Sequence, residues 1–369
     1  MLRVIELAGG LASQFATMAL AELGADVIKV EPPDGDPLRA RREVAPDDLS
    51  FEYLNRRKRS VALDLESSEG RATLLELVAD ADAVIEDFDT ETLRRLRLSY
   101  RTMRRAQPGV VLTSISGFGR SGARSDWRAN DFVLQAMGGV VDGTGWGDQP
   151  PQRLPGSPAS FSAGLQAAAL TSGAVYGVRA GEGGVHIDVS IQEAMSTHWT
   201  REIERYIYHG LGVSRGNVEM GLQGFPHTVM ANDGYLYLLA LRAEWEPLGH
   251  LLGLDDFITH EWSDPRTRLE RWDEIAPQFT ANIAARSKYE WFADAAAQGY
   301  TFAPVDDMAE VQQSPQLLAR DFFREAKIEG ESVTTPGLPF TFAATPPRPN
   351  VVPGVGEHTA GVLAELRGG

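Results

Sequence analysis

The chain opens with a strand–helix–strand pattern that strongly constrains how it can fold. Residues 3–7 form a short apolar run, and residues 15–23 carry apolar side chains at helical spacing up to Gly24, a natural helix end. A second apolar run at 27–30 is closed by two prolines. This order of elements predicts a parallel strand pair joined by a right-handed crossover.

The same alternation continues to about residue 200 and predicts an α/β fold. Predicted strands lie at 61–65, 83–86, 110–116 and 185–189, and predicted helices at 70–79, 90–96, 131–138, 164–178 and 191–211. A Gly-rich, irregular stretch at 216–234 then interrupts the pattern. Beyond it we predict strands at 235–240, 301–305 and 340–342, several helices from 245 to about 299, and helices at 308–313 and 359–366. Composition and periodicity alone indicate an α/β protein with two domains.

Composition narrows the classes of function. The 369 residues are 43% hydrophobic, enough for one large or two modest cores, and no run approaches the roughly 20 apolar residues of a membrane span. No cleavable signal is expected at the start of the chain. The absence of cysteine excludes disulfides, thiolate metal sites and a cysteine nucleophile, and favours a cytoplasmic location. The net charge of −16 argues against nucleic-acid binding.

No motif predicts a tightly bound cofactor or a metal. Gly9 and Gly10 in the first turn lack the spacing of the dinucleotide fingerprint. Positive charge is nevertheless concentrated in clusters at 39–42, 56–59 and 94–105. Each cluster taken alone is typical of a solvated surface. Together the clusters make an anionic ligand compatible with the negative net charge of the chain.

Further motifs extend over the whole chain and carry a family resemblance. They are NRRKRSVALD at 55–64, SISGFG at 114–119, QAMGG at 135–139, GEGGVHIDVS at 181–190, SPQLLARDFF at 314–323 and GVGEHTAGVL at 354–363. With the opening βαβ unit, they resemble the class III CoA-transferases, a family that also holds 2-methylacyl-CoA racemases and carnitine or bile-acid CoA-transferases. The cluster at 56–59 resembles the family's contact with the nucleotide phosphates.

The resemblance implies a specific architecture. A doubly wound, Rossmann-like large domain is expected from residues 1–215, a smaller α+β domain from 216–328, and a C-terminal return to the large domain from 329–369. It also implies an interlocked dimer in which each subunit threads through the other, as a homodimer or as a heterodimer with a related subunit.

The transfer carboxylate that the resemblance implies is missing. Counting back from Gly164, the family's aspartate falls on Ser160, and no Asp or Glu occurs between residues 149 and 181. The implied mechanism passes through a mixed anhydride and an enzyme-bound thioester, both of high transfer potential. A serine would instead form an oxygen ester, which lies downhill from a thioester and cannot return CoA.

The racemase centre is also altered. The implied catalytic histidine falls on Asn130, which cannot exchange a proton, and is followed by Asp131. A further racemase-like carboxylate is expected after the strand at 235–240, where Leu241 and Arg242 stand instead. Racemisation by the family mechanism is therefore not expected.

The implied CoA cradle is only partly retained. Lys58, Arg59, Phe88 and Arg95 match family positions, and Ala12 stands before Ser13 and Gln14 where the family has Ala-Gly-Pro. The usual Asn-Phe-Arg-Pro-Gly turn reads DFDTE at 87–91, which places three acidic residues at a helix start. Asp89 is predicted to cap that helix. The acidic residues would repel phosphates, so CoA binding is weakened but not excluded.

Several functions remain open at this point. The chain is predicted to be a non-catalytic subunit of a heteromeric CoA-transferase, or an enzyme that uses Ser160 on an acyl thioester with His227 as a candidate base. Instead of Ser160, such an enzyme would use a relocated carboxylate, and Asp126, Asp131, Asp142 and Asp148 lie in the same region. A true CoA-transferase with a carboxylate from elsewhere is a third possibility. A metabolite-binding protein without turnover is a fourth. Ser160 as a turn residue and Asp131 as a helix-start residue are the structural alternatives.

Overall fold

The structure, a computed structural model, describes residues 1–7, 9–45, 48–212, 215, 224–240, 244–328, 331–340 and 350–368. Leu241, Arg242, most of the Gly-rich stretch and residues 341–342 of the predicted strand lie outside the described residues. The chain divides into two compact units. The first comprises Met1–Thr144, Pro151–Val213 and Asp321–Gly369, and the second Gly145–Pro150 and Ser214–Arg320.

A six-stranded parallel sheet forms the centre of the first unit. Its strands are β1 (Arg3–Leu7), β2 (Asp26–Glu31), β3 (Arg59–Ala62), β4 (Ala83–Glu86), β5 (Val111–Ser116) and β6 (His186–Ser190). The spatial order β3-β2-β1-β4-β5-β6 reverses direction between β1 and β4. This is the order of a doubly wound Rossmann-like sheet, so the predicted fold class is confirmed.

Helices cover both faces of this sheet. In chain order they are α1 (Leu11–Glu22), α2 (Arg41–Val44), α3 (Ser50–Asn55), α4 (Ser68–Ala79), α5 (Thr90–Leu96), α6 (Tyr100–Ala106), α7 (Asp131–Met137), α8 (Pro158–Arg179), α9 (Ile191–Ser196) and α10 (Thr200–His209). Successive β1 side chains serve opposite cores, because Val4 packs with α1 and α8 while Ile5 packs with α4. No helix in the described part of the chain is long and apolar enough to cross a membrane.

The long helix predicted at 191–211 is interrupted. A 3₁₀ turn at Thr197–Trp199 separates α9 from α10. The hydroxyls of Ser196, Thr197 and Thr200 donate to the carbonyls of Gln192, Ala194 and Thr197 at 2.7–3.0 Å. Such bonds compete with the helical ladder and bend a helix, which apolar periodicity does not reveal.

The second unit has its own sheet and core. Strands β7 (Thr228–Met230), β8 (Tyr235–Leu239) and β9 (Thr301–Pro304) are antiparallel. The helices are α11 (Trp245–Leu251), α12 (Pro265–Glu270), α13 (Trp272–Ala284), α14 (Lys288–Ala297), α15 (Met308–Gln312) and α16 (Pro315–Ala319), with a 3₁₀ turn at Asp255–Phe257. Its apolar core includes Trp245, Phe279 and Trp291.

The last residues of the chain return to the first unit. Strands β10 (Phe323–Ile328) and β11 (Glu331–Pro336) form an antiparallel hairpin, and helix α17 (Thr359–Gly368) follows. The N–H groups of His358 and Gly356 donate to the carbonyl and hydroxyl of Ser60 at 2.9 and 2.7 Å. The Ala62 N–H donates to Thr359 Oγ1 at 3.0 Å. These bonds cover β3, the edge strand of the sheet.

Candidate active site

Two cavities open at the carboxyl ends of the central strands, where open α/β sheets bind ligands. The first, which we call the switch-point pocket, has a volume of about 500 Å³ and lies beside the ends of β1, β2 and β4. The second, the loop cavity, has a volume of about 600 Å³ and is lined by residues 87–91, the end of β5 and residues 125–129. The turn between β4 and α5 separates them, and Asp87, Phe88 and Asp89 line both.

An ion pair holds this turn in place. Glu86 at the end of β4 is buried, and Arg120 Nη2 lies 2.8 and 2.9 Å from its two carboxylate oxygens. Arg120 also donates to the Phe88 carbonyl at 2.6 Å. Burial raises the pKa of the Glu86 carboxyl, although Arg120 opposes the shift. Arg120 therefore fixes the backbone on which Phe88 is presented to both cavities.

The residues that the sequence assigns to the transfer and racemase centres lie together at the starts of α7 and α8. Asn130 caps α7, because its side-chain oxygen accepts the Val133 N–H at 3.0 Å. Asp131 Oδ2 accepts both the hydroxyl and the N–H of Ser160, at 2.7 and 2.8 Å. Gln135 donates to Asp131 Oδ1 at 2.8 Å. Asp131 is thus the first residue of α7 and also satisfies an N–H in the first turn of α8.

Ser160 is nearly buried, with 8% of its surface exposed. Its hydroxyl hydrogen is directed to Asp131, so the pair is a serine hydrogen-bonded to a carboxylate rather than to an imidazole. Two residues on, Ser162 Oγ lies 2.8 Å from Nε2 of the exposed His198. The proposed base His227 lies in the second unit, where its ring donates to the Leu238 carbonyl at 3.3 Å.

The basic residues predicted to contact phosphates are bound to carboxylates of the chain itself. Lys58 is buried and contacts Glu6 Oε2 at 2.6 Å, Thr17 Oγ1 at 2.8 Å and Asn55 Oδ1 at 3.0 Å. Burial lowers the pKa of Lys58 to about 8, against the attraction of Glu6. Neither Lys58 nor Arg59 is among the described residues that line the two cavities.

The other predicted binding residues are placed differently. Arg59 binds Asp26 and Glu365 at 2.6 and 2.8 Å. Arg95 lines the switch-point pocket and pairs with Glu66 at its rim. Ala12 is buried in α1, and its carbonyl oxygen would lie 2.4 Å from a Cβ at Gly164 of α8. Ala12 therefore belongs to the contact between these two helices.

The carboxylates considered as relocated catalytic groups are scattered. Asp126 lines the loop cavity, whereas Asp142 and Asp148 are exposed, and Asp148 belongs to the second unit. The structure therefore brings only Asp131 into contact with Ser160.

One contact in the site is not apparent from the sequence. The Asp87 carboxylate accepts the N–H groups of Gly9 and Gly10 at 3.1 and 2.7 Å, and also binds the Ser13 hydroxyl. Burial raises the pKa of Asp87, and these hydrogen bonds oppose the shift. The strands β1 and β4 are neighbours, so their trailing loops meet. The features of the sequence that indicate this contact are the glycine pair before a helix and the aspartate directly after a strand.

Comparisons with known proteins match this chain to one protein family over nearly its whole length. The model of CoA-transferase family III matches residues 2–359. Succinyl-CoA:mesaconate CoA-transferase of Haloarcula hispanica is 32% identical, over 99% of this chain and 95% of that protein. Succinyl-CoA:(R)-benzylsuccinate CoA-transferase subunit BbsE of Thauera aromatica is 29% identical, over 98% and 93%. The crystal structure of a CaiB/BaiF family protein from Brucella suis superposes with a TM-score of 0.87, at 28% identity over 99% and 98% of the two chains.

Proposed function

Since the chain belongs to CoA-transferase family III, we propose that it binds acyl-CoA-type thioesters and takes part in CoA transfer together with a second, related subunit that supplies the transfer carboxylate. Ser160, Asp131 and Asn130 mark the altered centre in this chain. Phe88 contacts the thioester, and the Arg95–Glu66 pair lies at the rim of the pocket that receives it. Ala12, Lys58 and Arg59 lie behind the cavity walls, where they contact other residues of the chain.

The observation that carries this proposal is the hydrogen bond from Ser160 to Asp131. The hydroxyl belongs to the residue that the family resemblance assigns to the transfer carboxylate, and its hydrogen points to Asp131 Oδ2 at 2.7 Å. The carboxylate nearest to the altered position is thereby bound by Ser160 and Gln135 together. Held by these donors, Asp131 is a weakened nucleophile, and Ser160 itself can form only an ester from which CoA is not regained.

An unpartnered apolar surface supports a subunit partner. Helix α10 has no buried residue, although it carries large apolar and aromatic side chains. Those exposed are Ile203, Tyr206, Ile207 and Tyr208. A surface of this kind is typical of protein–protein contacts. The relative from Thauera aromatica is named as a subunit, which favours a heterodimer with a related chain over a homodimer.

Replacing the serine by a carboxylate tests the proposal. The assay is exchange of labelled succinate into succinyl-CoA, chosen because the Haloarcula hispanica relative is named for succinyl-CoA. The wild-type chain alone should show only background exchange. Ser160→Asp should raise exchange by roughly a hundredfold, the scale of a single positioned catalytic group. Because the new carboxylate contacts Asp131, the pair Ser160→Asp with Asp131→Asn is measured beside it.

The matched control is Ser162→Asp, which adds the same charge two residues along α8 but faces His198. It should stay at background. Robust exchange by the wild-type homodimer alone would contradict the proposal, because the chain would then possess a transfer carboxylate of its own. No exchange in either Ser160→Asp variant, with acyl thioester shown to bind, would also count against it.

A second candidate is an acyl-transfer or hydrolytic enzyme that uses Ser160 as nucleophile. The short hydrogen bond to Asp131 favours it, since a carboxylate there can accept the hydroxyl proton. On this hypothesis, a reactive acyl thioester should label the protein covalently, and Ser160→Ala should abolish the label. Mass spectrometry of the intact chain measures it, with Ser162→Ala as control. Labelling that survives Ser160→Ala would eliminate this candidate.

A further inference from the structure

A row of polar side chains crosses the central sheet at the last residue of β4. Glu86 on β4 pairs in register with Ser114 on β5, and Ser114 pairs with Asp188 on β6. Because paired residues of parallel strands share a face of the sheet, these side chains lie side by side. Arg120 spans the row, since its Nη2 binds Glu86 at 2.8 Å and its backbone N–H donates to Asp188 at 2.9 Å. Its Nη1 donates to the Phe88 carbonyl, which connects the row to the turn between the two cavities.

His186 extends this row to the surface of the protein. It lies two residues before Asp188 on β6, and its Nε2 is 2.8 Å from the Ser114 hydroxyl oxygen. Tyr100 of α6 stacks on the imidazole, with the ring centroids 5.6 Å apart. His186 is exposed and exchanges protons with the solvent, whereas Ser114 is buried. A histidine in this position connects the pH of the solvent to a buried hydroxyl.

The Ser114 hydroxyl has one hydrogen and two neighbours that accept it. Burial raises the pKa of Glu86, as does Asp87, whereas Arg120 and the Ser114 hydroxyl lower it. The hydroxyl therefore stabilises the Glu86 carboxylate. When His186 is protonated, both ring nitrogens donate, so Nε2–H takes the Ser114 oxygen as its acceptor and leaves the hydroxyl hydrogen for Glu86. In the neutral ring Nε2 can accept instead, and the hydroxyl hydrogen then turns to His186.

The groups that face His186 come from three other parts of the fold and from its own strand. Ser114 approaches from β5, Tyr100 from α6, Asp188 from β6 and Arg120 from the loop after β5. Burial lowers the pKa of His186, Asp188 opposes the shift and Arg120 adds to it. The proton is therefore lost below the ordinary histidine pKa of about 6.5.

We infer that His186 is a positioning residue for the turn between β4 and α5, acting through the shared hydroxyl hydrogen of Ser114. Protonated His186 commits that hydrogen to Glu86 and keeps the carboxylate in the ionised form that binds Arg120. The pair then holds Phe88 firmly between the two cavities. Neutral His186 competes for the hydrogen and weakens this hold. The inference rests on the proposed function, because its consequence is tighter binding of an acyl thioester when His186 is protonated.

The affinity for acetyl-CoA as a function of pH tests the inference. The purified full chain and Ser114→Ala are titrated calorimetrically with acetyl-CoA between about pH 5 and pH 8, the range in which a histidine titrates. Ser114→Ala removes the shared hydrogen and leaves the charge of His186 in place. The ratio of the wild-type affinity to the Ser114→Ala affinity cancels the titration of the ligand's own phosphate. It should fall from roughly three- to tenfold at the acid end to near one at the alkaline end, the effect of one hydrogen bond.

Histidine variants separate His186 from the other titrating groups. His186→Gln keeps a side-chain N–H donor that does not titrate, so its affinity ratio to Ser114→Ala should not change with pH. The matched control is His250→Gln, which replaces an exposed histidine of the second unit. It should retain the pH dependence of the wild-type chain.

Thermodynamic linkage supplies a second measurement that needs no change at Ser114. If protonation of His186 tightens binding, then acetyl-CoA must raise the pKa of His186 by the logarithm of the same factor. An NMR titration of the histidine ring protons measures this, with the His186 signal assigned by its loss in His186→Gln. The wild-type measurement keeps the inference testable even if Ser114→Ala fails to fold.

The outcomes distinguish this inference from the proposed function. An affinity ratio that stays constant with pH, or a His186 pKa that acetyl-CoA does not raise, would overturn the inference and leave the proposed function standing. Failure of acetyl-CoA to bind at any pH would overturn the proposed function and the inference with it.

Discussion

The environment of Lys58 shows how single residues in this chain depend on strand neighbours. Lys58 and Lys29 both contact the buried Glu6, which lies on β1. The sequence shows the basic cluster but not the carboxylates that strand pairing places beside it. A match to a phosphate-binding position was therefore the only interpretation available, and the phosphate contact of Lys58 and Arg59 stays a prediction.

A pH dependence of stability follows from Lys58. Its pKa in the folded protein is about 8 because of burial, whereas an unfolded lysine has a pKa near 10.4. Between these values the unfolded chain binds the additional proton, so the free energy of unfolding rises with pH, by up to about 1.4 kcal/mol per unit. Compared with Lys58→Met, the wild-type chain should gain stability from pH 8 to 10, as measured by thermal unfolding.

The exposed Lys327→Met variant is the control for this measurement. The free energy of unfolding of Lys327→Met should differ from that of the wild type by a constant amount between pH 8 and 10. Lys29 does not reverse the trend: although burial opposes it, the attraction of Glu6 and Asp36 raises the Lys29 pKa. The stabilisation by Lys29 is therefore lost only above about pH 10.4. A wild-type free energy of unfolding that falls relative to that of Lys58→Met between pH 8 and 10 would contradict the lowered pKa of Lys58.

Other residue-level features were within reach of sequence reasoning. The prediction that Asp89 caps the following helix is confirmed, since it accepts the Thr92 N–H at 2.6 Å. This signal is local, because cap and helix are adjacent in sequence. The contact between Asp87 and the Gly9–Gly10 turn joins residues far apart in sequence, so it could not be predicted without the strand order.

At the scale of elements, the parallel strands were the most predictable part. Apolar runs located β1, β4 and β5 to within a residue of their observed bounds. Helix starts were less predictable: α8 begins at Pro158, six residues before the predicted start at Gly164. Proline is favoured in the first turn of a helix, but apolar spacing does not register it.

The close packing of α1 on α8 predicts that a side chain at Gly164 destabilises the protein. An added Cβ would lie 2.4 Å from the Ala12 carbonyl and 3.2 Å from Phe15 Cβ. Gly164→Ala should therefore lower the free energy of unfolding by roughly 1–3 kcal/mol through overpacking. Gly173→Ala on the same helix meets no atom within 4 Å and should be neutral or stabilising by up to about 1 kcal/mol. Chemical denaturation measures both; equal effects would refute the close contact.

At the scale of the whole molecule, the family resemblance drawn from scattered motifs is confirmed. Motifs at 55–64 and 354–363 lie far apart in sequence yet meet in the fold, where residues 356–359 bond to β3. The exact domain boundaries and the interlocked dimer stay predictions, since both depend on contacts that periodicity does not encode.

The bonds between residues 356–359 and β3 predict the effect of removing the C-terminal residues. A chain that ends at residue 355 loses the bonds from His358, Gly356 and Thr359 to β3. It should be less stable by roughly 3 kcal/mol and more prone to aggregate, because an edge strand is uncovered. Thermal unfolding and light scattering measure this. A chain that ends at residue 366 keeps the bonds and should behave like wild type; equal stability of the two would contradict the role of the return.

The bond of the Asp87 carboxylate to the Gly9 and Gly10 N–H groups determines how well a free anion can compete for them. Asp87 is attached to the chain, so it competes for these N–H groups at an effective concentration of at least about 1 mM, whatever the dilution of the protein. A free anion of similar intrinsic affinity must exceed that concentration before it displaces the side chain. At the switch-point pocket, free anions present below about 1 mM are therefore outcompeted by Asp87 for the Gly9 and Gly10 N–H groups.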